Sequence, residues 1–342
     1  MTNIIQGKDI RVAERHKLEE VIPLGMPYVL FIEPTNLCNM HCQFCPTGDK
    51  KLKKMRPNGT MSWEAYSKII LDIQEFGEKL KRINFYKDGE SLINKRFCDM
   101  VKLAKEKEIS ESLWLKTNGL LLNPELNQKM IDSGLDMIGI SVSHITSEGY
   151  KRISDVHIDY EKFKSNIKDL YNRRNGCKIY IKMADTGLTQ SDKDKFYNDF
   201  GDRSDYVAIE GLHGWSMSGI KDFTLGTETK TFDGLPFTSK IVCPWPFYEL
   251  AINWNGSVSL CNEDWIHETV VGDINKESLK DIWHGDRLYE MQKMMLEGRR
   301  SVNKVCANCF YLTCAPDNID EFRFQILERI NTRLNMGRSQ YG

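Results

Sequence analysis

From about residue 28 to residue 210 the chain alternates between two hydrophobic periods. Short β-branched or aromatic runs are each followed by a longer segment whose apolar residues recur every three or four positions. The runs predict strands at Tyr28–Glu33, Arg82–Tyr86, Ser112–Thr117, Asp136–Ser143, Lys178–Met183 and Tyr206–Glu210. The longer segments predict helices at Ser62–Phe76, Lys95–Lys107, Pro124–Ser133, Asp159–Asn175 and Ser191–Phe200. In the first of these, Trp63, Tyr66, Ile69, Ile70, Ile73 and Phe76 share one stripe, the spacing of a helix that faces a core. Regular βα alternation predicts a parallel sheet covered by helices. Six strands are too few to complete an eight-stranded barrel, which leaves a partial barrel or an open doubly wound sheet.

After residue 211 the rhythm breaks. "GLHGWSMSG" and "FTLGTETKTFDGLPFTSK" read as loop. Glu249–Trp254 and Ser257–Leu260, around Asn255-Gly256, predict a hairpin. A helix over Ser278–Glu297 and a closing helix near Ile319–Leu334 follow.

Charge changes this picture little. Lys+Arg (47) nearly cancel Asp+Glu (48) across 342 residues, and 41% of positions are hydrophobic. That balance argues against a nucleic-acid footprint or a membrane-surface face. The one basic run, Lys50-Lys51-Leu52-Lys53-Lys54, reads as a solvated loop. No apolar stretch reaches the roughly 18 residues of a membrane span. The polar start "MTNIIQGKDIRVAERHKLEE" has no signal-peptide core. A cytoplasmic protein is expected, in which ten reduced cysteines act as metal ligands or catalytic thiols.

Those cysteines do change the picture. Cys38, Cys42 and Cys45 stand at C-x3-C-x2-C, directly after the first predicted strand. Loops at the carboxyl ends of parallel strands carry the chemistry of such folds. An iron–sulfur cube takes four ligands, so three local cysteines leave one iron open to a small molecule. Zinc with a distant fourth ligand, or buried thiols, are the alternatives on spacing alone.

This arrangement resembles the radical S-adenosylmethionine superfamily. The resemblance implies a partial (β/α)6 barrel and a [4Fe–4S] cluster on Cys38, Cys42 and Cys45, whose open iron chelates S-adenosylmethionine. Phe44 matches the aromatic that the family sets against the adenine. "YKDGESL" (86 to 92) resembles the Gly-Gly-Glu-Pro motif, with Gly89 and Glu90 matching and Glu90 implied to bind the methionine ammonium. Lys87, Asp88 and Ser91 depart from that motif. Asn118 in "KTNGLLL" and Ser141 in "GISVSH" stand at further cofactor positions, and Ser143 stands where many members have Asp.

Cys243, Cys261, Cys306 and Cys309 form a second set, C-x17-C-x44-C-x2-C. Four cysteines suit structural zinc as well as a cluster. With Gly256 five residues before Cys261, and "GDINKESLKDIW" between the second and third ligands, the set resembles the SPASM or half-size twitch domain. This implies one auxiliary [4Fe–4S] cluster, two clusters in all. Within the family the spacing is most similar to enzymes that oxidise or epimerise aminocyclitol and aminoglycoside alcohols. The expected organisation is an N-terminal extension over 1–27, the barrel over 28–235 and the auxiliary-cluster domain over 236–342.

The expected function is radical oxidation of a sugar- or cyclitol-like small molecule to a carbonyl, with a flavodoxin- or ferredoxin-type electron donor. Lys182, Glu210, His213, Glu263 and Asp264 are the candidate bases for the hydroxyl proton. Cys314 is a candidate hydrogen-atom donor if the outcome is epimerisation instead. Peptide modification and a non-catalytic iron–sulfur or zinc protein are the other readings. Cys98 and Cys177 are expected in the core.

Overall fold

The computed structural model describes residues 3–4, 16–212, 214–216, 220–227, 238–309 and 311–339. Its strands are β1 (Asn3–Ile4), β2 (Val29–Ile32), β3 (Arg82–Asn84), β4 (Leu113–Thr117), β5 (Met137–Val142), β6 (Lys178–Ala184), β7 (Tyr206–Glu210), β8 (Glu249–Ile252), β9 (Ser257–Ser259) and β10 (Val270–Asp273). Its helices are α1 (Leu18–Val21), α2 (Trp63–Gln74), α3 (Phe97–Glu106), α4 (Pro124–Asp132), α5 (Ser147–Ser154), α6 (Tyr160–Arg173), α7 (Gln190–Phe200), α8 (Leu279–His284), α9 (Asp286–Leu296), α10 (Lys304–Ala307), α11 (Tyr311–Cys314) and α12 (Arg323–Ser339).

The strands form one sheet in the order β1-β7-β6-β5-β4-β3-β2-β8-β9-β10. From β2 to β7 each strand lies parallel to the next in sequence. A doubly wound sheet reverses its order once; this one does not. Its helices pack side by side in one layer, α2 on α3, α3 on α4 and α4 on α6. Sequential winding with one helical layer is the partial barrel.

Strand β2 is buried at all four positions, as a strand covered on both faces must be. The helices begin on side-chain caps. Ser62 accepts from Ala65 N, Asn123 from Glu125 N and Leu126 N, and Thr189 and Asp192 close a capping box. Tyr66, Ile69, Ile70 and Ile73 bury the stripe of α2.

The C-terminal segment adds to the same sheet. Strand β8 pairs parallel with β2, from Val29 opposite Glu249 to Ile32 opposite Ile252. The expected hairpin forms between β8 and β9, and β10 then continues antiparallel. Gly256 turns the hairpin at φ +90, where a Cβ would stand 2.2 Å from Asn275 Nδ2. The predicted helix Ser278–Glu297 is two helices, because Gly285 is extended (φ −78, ψ 157) and ends α8 while starting α9. Helix α5 lies in a stretch with no predicted element. Cys177 is in the core, and Cys98 is half-buried against it. No helix among the described residues is long and apolar enough to cross a membrane.

Candidate active site

The loop after β2 is held from both sides. Asn36 bonds Pro57 O (3.0 Å) and accepts from Gly59 N (2.9 Å), and Thr35 Oγ1 donates to Gly59 O (2.6 Å). On the other side His41 N and Gln43 N donate to Ser154 O and Ile153 O, both at 2.9 Å. Helix α5 thus uses its last carbonyls, which have no intrahelical partner, to seat the cysteine loop. Ser154 Oγ lies 3.2 Å from Cys42 Sγ, and Asn118 Nδ2 lies 3.9 Å from Cys38 Sγ. Gly48 folds back so closely that a Cβ there would be 2.3 Å from Cys42 O.

Burial pushes the Cys38 thiol up to about 12 and raises Cys42 and Cys45 as well. Such thiols become ligands only when a cation stabilises the anion. In the second set burial raises Cys243 and Cys261 well above the usual range, Cys306 to about 12 and Cys309 to about 11. Cys243 and Cys261 each feel Cys309 and Cys306, so three segments of chain meet there. Arg300 donates to the carbonyls of Cys306 and Cys309.

The first set offers three thiols on one loop, one short of the four that zinc or an iron–sulfur cube takes, whereas the second set offers a full four.

Glu90 follows β3 and is buried. Its carboxylate accepts from Asn118 N (2.7 Å), Thr117 Oγ1 (2.9 Å) and Leu92 N (3.1 Å). Burial raises its pKa, and these donors oppose the rise. No cation among the described residues lies within 4.0 Å of it. A buried, aligned carboxylate without a counter-ion fits the ammonium of S-adenosylmethionine. Gly89 is required by close approach: a Cβ would be 2.4 Å from Thr35 O and 2.6 Å from Leu37 O. Glu90 N donates to Leu37 O (2.8 Å), joining this motif to the cysteine loop.

Lys87 and Asp88 depart from the family pattern because their side chains serve a buried ionic cluster. Asp88 Oδ2 accepts from Lys87 Nζ and Arg56 Nη1, each at 2.6 Å. Arg56 also donates to Trp265 O (2.6 Å) and His267 Nε2 (3.2 Å), and its guanidinium lies 4.0 Å over the Trp265 ring. Lys87 donates to Asp264 O (3.0 Å). Glu33, at the end of β2, accepts from Asp88 N (3.3 Å) and Trp254 N (3.2 Å). Burial pushes Asp88 up, but Lys87 and Arg56 outweigh it and hold the carboxyl below its usual range. Burial raises Glu33, and burial with Lys87 lowers His267 to about 4. Glu33, Asp88 and His267 converge within 4.8 Å. Two carboxylates already face two cations there, so the geometry reads as an ionic joint. Sequence reasoning missed Arg56 and His267, since their partners lie far away in the chain.

A cavity of about 330 Å³ opens at the strand ends. The cysteine loop lines it with Cys38, Cys42, Phe44 and Cys45. The strand ends add Gly89, Glu90, Asn118, Ser141, Ser143, Lys116 and Lys182, and the C-terminal segment adds Asn262, Glu263 and Tyr311. Ser141 and Lys182 are register partners on β5 and β6. Glu210 accepts from Lys182 Nζ and Tyr180 Oη, both at 2.5 Å, at the cavity wall.

Two expected site residues stand elsewhere. Asp264 is buried and accepts from Thr269 N, Thr269 Oγ1 and Glu268 N; it is not among the cavity-lining residues. Its carboxylate builds a turn, a role that "CNEDW" does not advertise. Cys314 is fully buried on α11 and is likewise not among the lining residues. Burial and nearby Glu263 push its thiol up to about 12. His213 lies outside the described residues.

Comparison with known proteins agrees with this chemistry. Residues 32–196 match the model of the radical SAM superfamily, and residues 243–310 match SPASM, an iron–sulfur cluster-binding domain. The chain is 24% identical over 280 residues to S-adenosyl-L-methionine-dependent 2-deoxy-scyllo-inosamine dehydrogenase of Niallia circulans, covering 81% of this chain and 90% of that one. It is 23% identical over 301 residues to the tungsten-containing aldehyde ferredoxin oxidoreductase cofactor-modifying protein of Pyrococcus furiosus, covering 75% of this chain and 81% of that one. In fold it is similar to BtrN in complex with AdoMet and 2-DOIA (TM-score 0.56, 20% identity, 83% and 93% of the two chains). SuiB of Streptococcus suis bound to S-adenosylmethionine shares the fold as well (TM-score 0.59, 15% identity, 80% and 69%). A three-cysteine loop beside an aligned carboxylate that has no counter-ion among the described residues, with the two matching family models, identifies a radical SAM domain over 32–196 and a SPASM domain over 243–310, and makes this chain an enzyme with S-adenosylmethionine and main and auxiliary [4Fe–4S] clusters as its cofactors.

Proposed function

We propose that this enzyme oxidises a carbinol of a polyol-like small molecule, a sugar or cyclitol, to a carbonyl. When bound, the main cluster with S-adenosylmethionine supplies a 5′-deoxyadenosyl radical that takes the carbinol hydrogen, and a single auxiliary cluster supplies a sink for the second electron. Cys38, Cys42 and Cys45 hold the first cluster, and Cys243, Cys261, Cys306 and Cys309 hold the second. Glu90 pairs with the methionine ammonium. Gly89 lets the backbone approach it, while Phe44, Asn118, Ser141 and Ser143 flank the nucleoside. The barrel, over 28–235, carries the radical site, the segment 236–342 carries the auxiliary cluster, and 1–27 is an extension.

Glu210 takes the hydroxyl proton, with Lys182 and Tyr180 orienting its carboxylate. Glu263, which also lines the cavity, is the second candidate. The observation that carries the reading is the shared cavity. It is bordered by the three-cysteine loop, by a Lys–Glu pair and by residues next to the second cysteine set. About 330 Å³ suits a small polar molecule. The similarity to a cyclitol dehydrogenase over most of both chains points the same way.

The test is anaerobic turnover with a panel of cyclitols and sugars deuterated at the carbinol carbon. The expected products are 5′-deoxyadenosine carrying that deuterium and one carbonyl per cofactor cleaved. Glu210→Gln should slow carbonyl formation by about 10²-fold or more. An inverted alcohol that carries solvent deuterium, and is lost in Cys314→Ala, would replace oxidation by epimerisation.

A further inference from the structure

The three-cysteine loop runs straight into Lys50-Lys51-Leu52-Lys53-Lys54. Two observations separate this run from an ordinary solvated loop. The first is electrostatic. Many lysines elsewhere meet carboxylates, such as Lys68 with Asp72, Lys81 with Glu111 and Lys129 with Glu125, and those that do not, such as Lys95 and Lys168, are not gathered four to a turn. Among the described residues, none of Lys50, Lys51, Lys53 and Lys54 has a carboxylate within 4.0 Å. The adjacent acid, Asp49, is already used. It pairs with Lys221 at 2.6 Å and caps Lys51 N and Leu52 N, which together hold its carboxyl down at about 2.

The second is mechanical. Leu52 is buried against Phe223 and Trp265, so the lysines ride on an anchored turn. The preceding turn presses on the backbone of Cys42 through Gly48. Lys50 also acts on Asp155, the residue that caps α5 beside Ser154 and Cys42. Lys50 is five residues from Cys45, at most about 18 Å away on a fully extended chain.

The cluster must receive an electron from outside, and Lys50, Lys51 and Lys54 are exposed on the turn that follows its loop. We propose that this lysine collar is the docking face for a small acidic one-electron carrier, a flavin or iron–sulfur protein. The proposal rests on the reading above only in seating a cluster on Cys38, Cys42 and Cys45. In a chain of net charge −1, a local positive field beside the electron entry point selects an acidic partner. Such steering raises association rates by about 10- to 1,000-fold and fades with salt.

The test is stopped-flow reduction of the reconstituted enzyme, read as bleaching of cluster absorbance without substrate. Reduced flavodoxin is the protein donor, and photoreduced deazaflavin, small and neutral, is the control. Replacing all four lysines by Glu should slow reduction by flavodoxin at least about tenfold at low ionic strength. Replacing them by Gln should have a smaller effect, and salt should narrow the gap. Deazaflavin should reduce wild type and variants at equal rates. Equal rates with flavodoxin, or a defect insensitive to salt, would overturn the proposal. So would a defect shared with deazaflavin. Oligonucleotide binding lost in the Glu variant, with flavodoxin rates unchanged, would assign the face to nucleic acid instead. Carbonyl formation under deazaflavin tests the oxidoreductase reading separately, so either can fail alone.

Discussion

Cys38, Cys42 and Cys45 lie on one short loop, whereas Cys243, Cys261, Cys306 and Cys309 come from segments far apart in the chain. The loop follows a strand and is fixed by hydrogen bonds from 57–59 on one side and α5 on the other. It offers three thiols and faces the cavity. The second site closes around itself through a hairpin, a short helix and the carbonyl bonds of Arg300. Among the described residues it meets the cavity through its neighbours Asn262, Glu263 and Tyr311. A site with a missing corner can bind and cleave a cofactor, and a closed site can only exchange electrons. On the proposed function, the difference in ligand number divides the labour.

The strongest way to break this comparison is to remove each set in turn. Reconstituted wild type should hold about eight irons, two cubes of four. Changing Cys38, Cys42 and Cys45 to Ala should leave about four and abolish 5′-deoxyadenosine formation. Stoichiometric zinc in anaerobically purified protein would refute both assignments. Cys261→Ala should do the opposite. It should lose the auxiliary cluster and the carbonyl product, yet still release 5′-deoxyadenosine. Loss of both products would mean that the second site also supports cofactor cleavage.

The ionic joint tests whether the two regions are one mechanical unit. Arg56 bridges Asp88 in the barrel to Trp265 and His267 in the C-terminal segment, with both ionic partners buried. Arg56→Met leaves Asp88 and Glu33 facing Lys87 alone, and breaking a buried pair costs about 3–5 kcal/mol. Chemical denaturation should report that loss as a lower midpoint in one transition. Two separate transitions would show that the regions unfold independently.

Glu90→Ala sharpens the picture at the open site alone. A charge-assisted contact is worth roughly 1.5–3 kcal/mol, so S-adenosylmethionine should bind about tenfold or more weakly with both clusters intact. Equilibrium dialysis decides this, and unchanged affinity would reduce "KDGES" to a turn. The smallest effect is expected at Cys314, which is buried and is not among the cavity-lining residues. Cys314→Ala should oxidise substrate at nearly the wild-type rate, and a dead variant that still makes 5′-deoxyadenosine would promote the thiol to hydrogen donor.

Local pattern and long-range contact were unequally legible. The period-two runs and helical stripes located β2 to β7 and their main helices, because strand and helix formation is decided over a few residues. Helix α5 escaped because its eight residues carry only Tyr150 and Ile153 as large apolar positions, too few to fix a period. The break at Gly285 escaped because a run of apolar residues on either side looks continuous. Among the candidate bases, "CNEDW" puts Glu263 and Asp264 side by side. Only the fold turned one towards the cavity and the other into a turn.

By itself the sequence determined which residues could be ligands, since C-x3-C-x2-C and the later four cysteines are chemical facts of the chain. It also determined the parallel βα alternation, since hydrophobic period is read residue by residue. Tertiary structure alone decided that β8 would extend the barrel sheet beside β2, and that Arg56 would meet Trp265 and His267. It also decided that the three-cysteine loop and the chain neighbours of the distant second set would border one cavity. These outcomes depend on pairings between residues some two hundred positions apart. Such pairings are set by burial and charge compensation in the assembled core, which no local window of sequence contains.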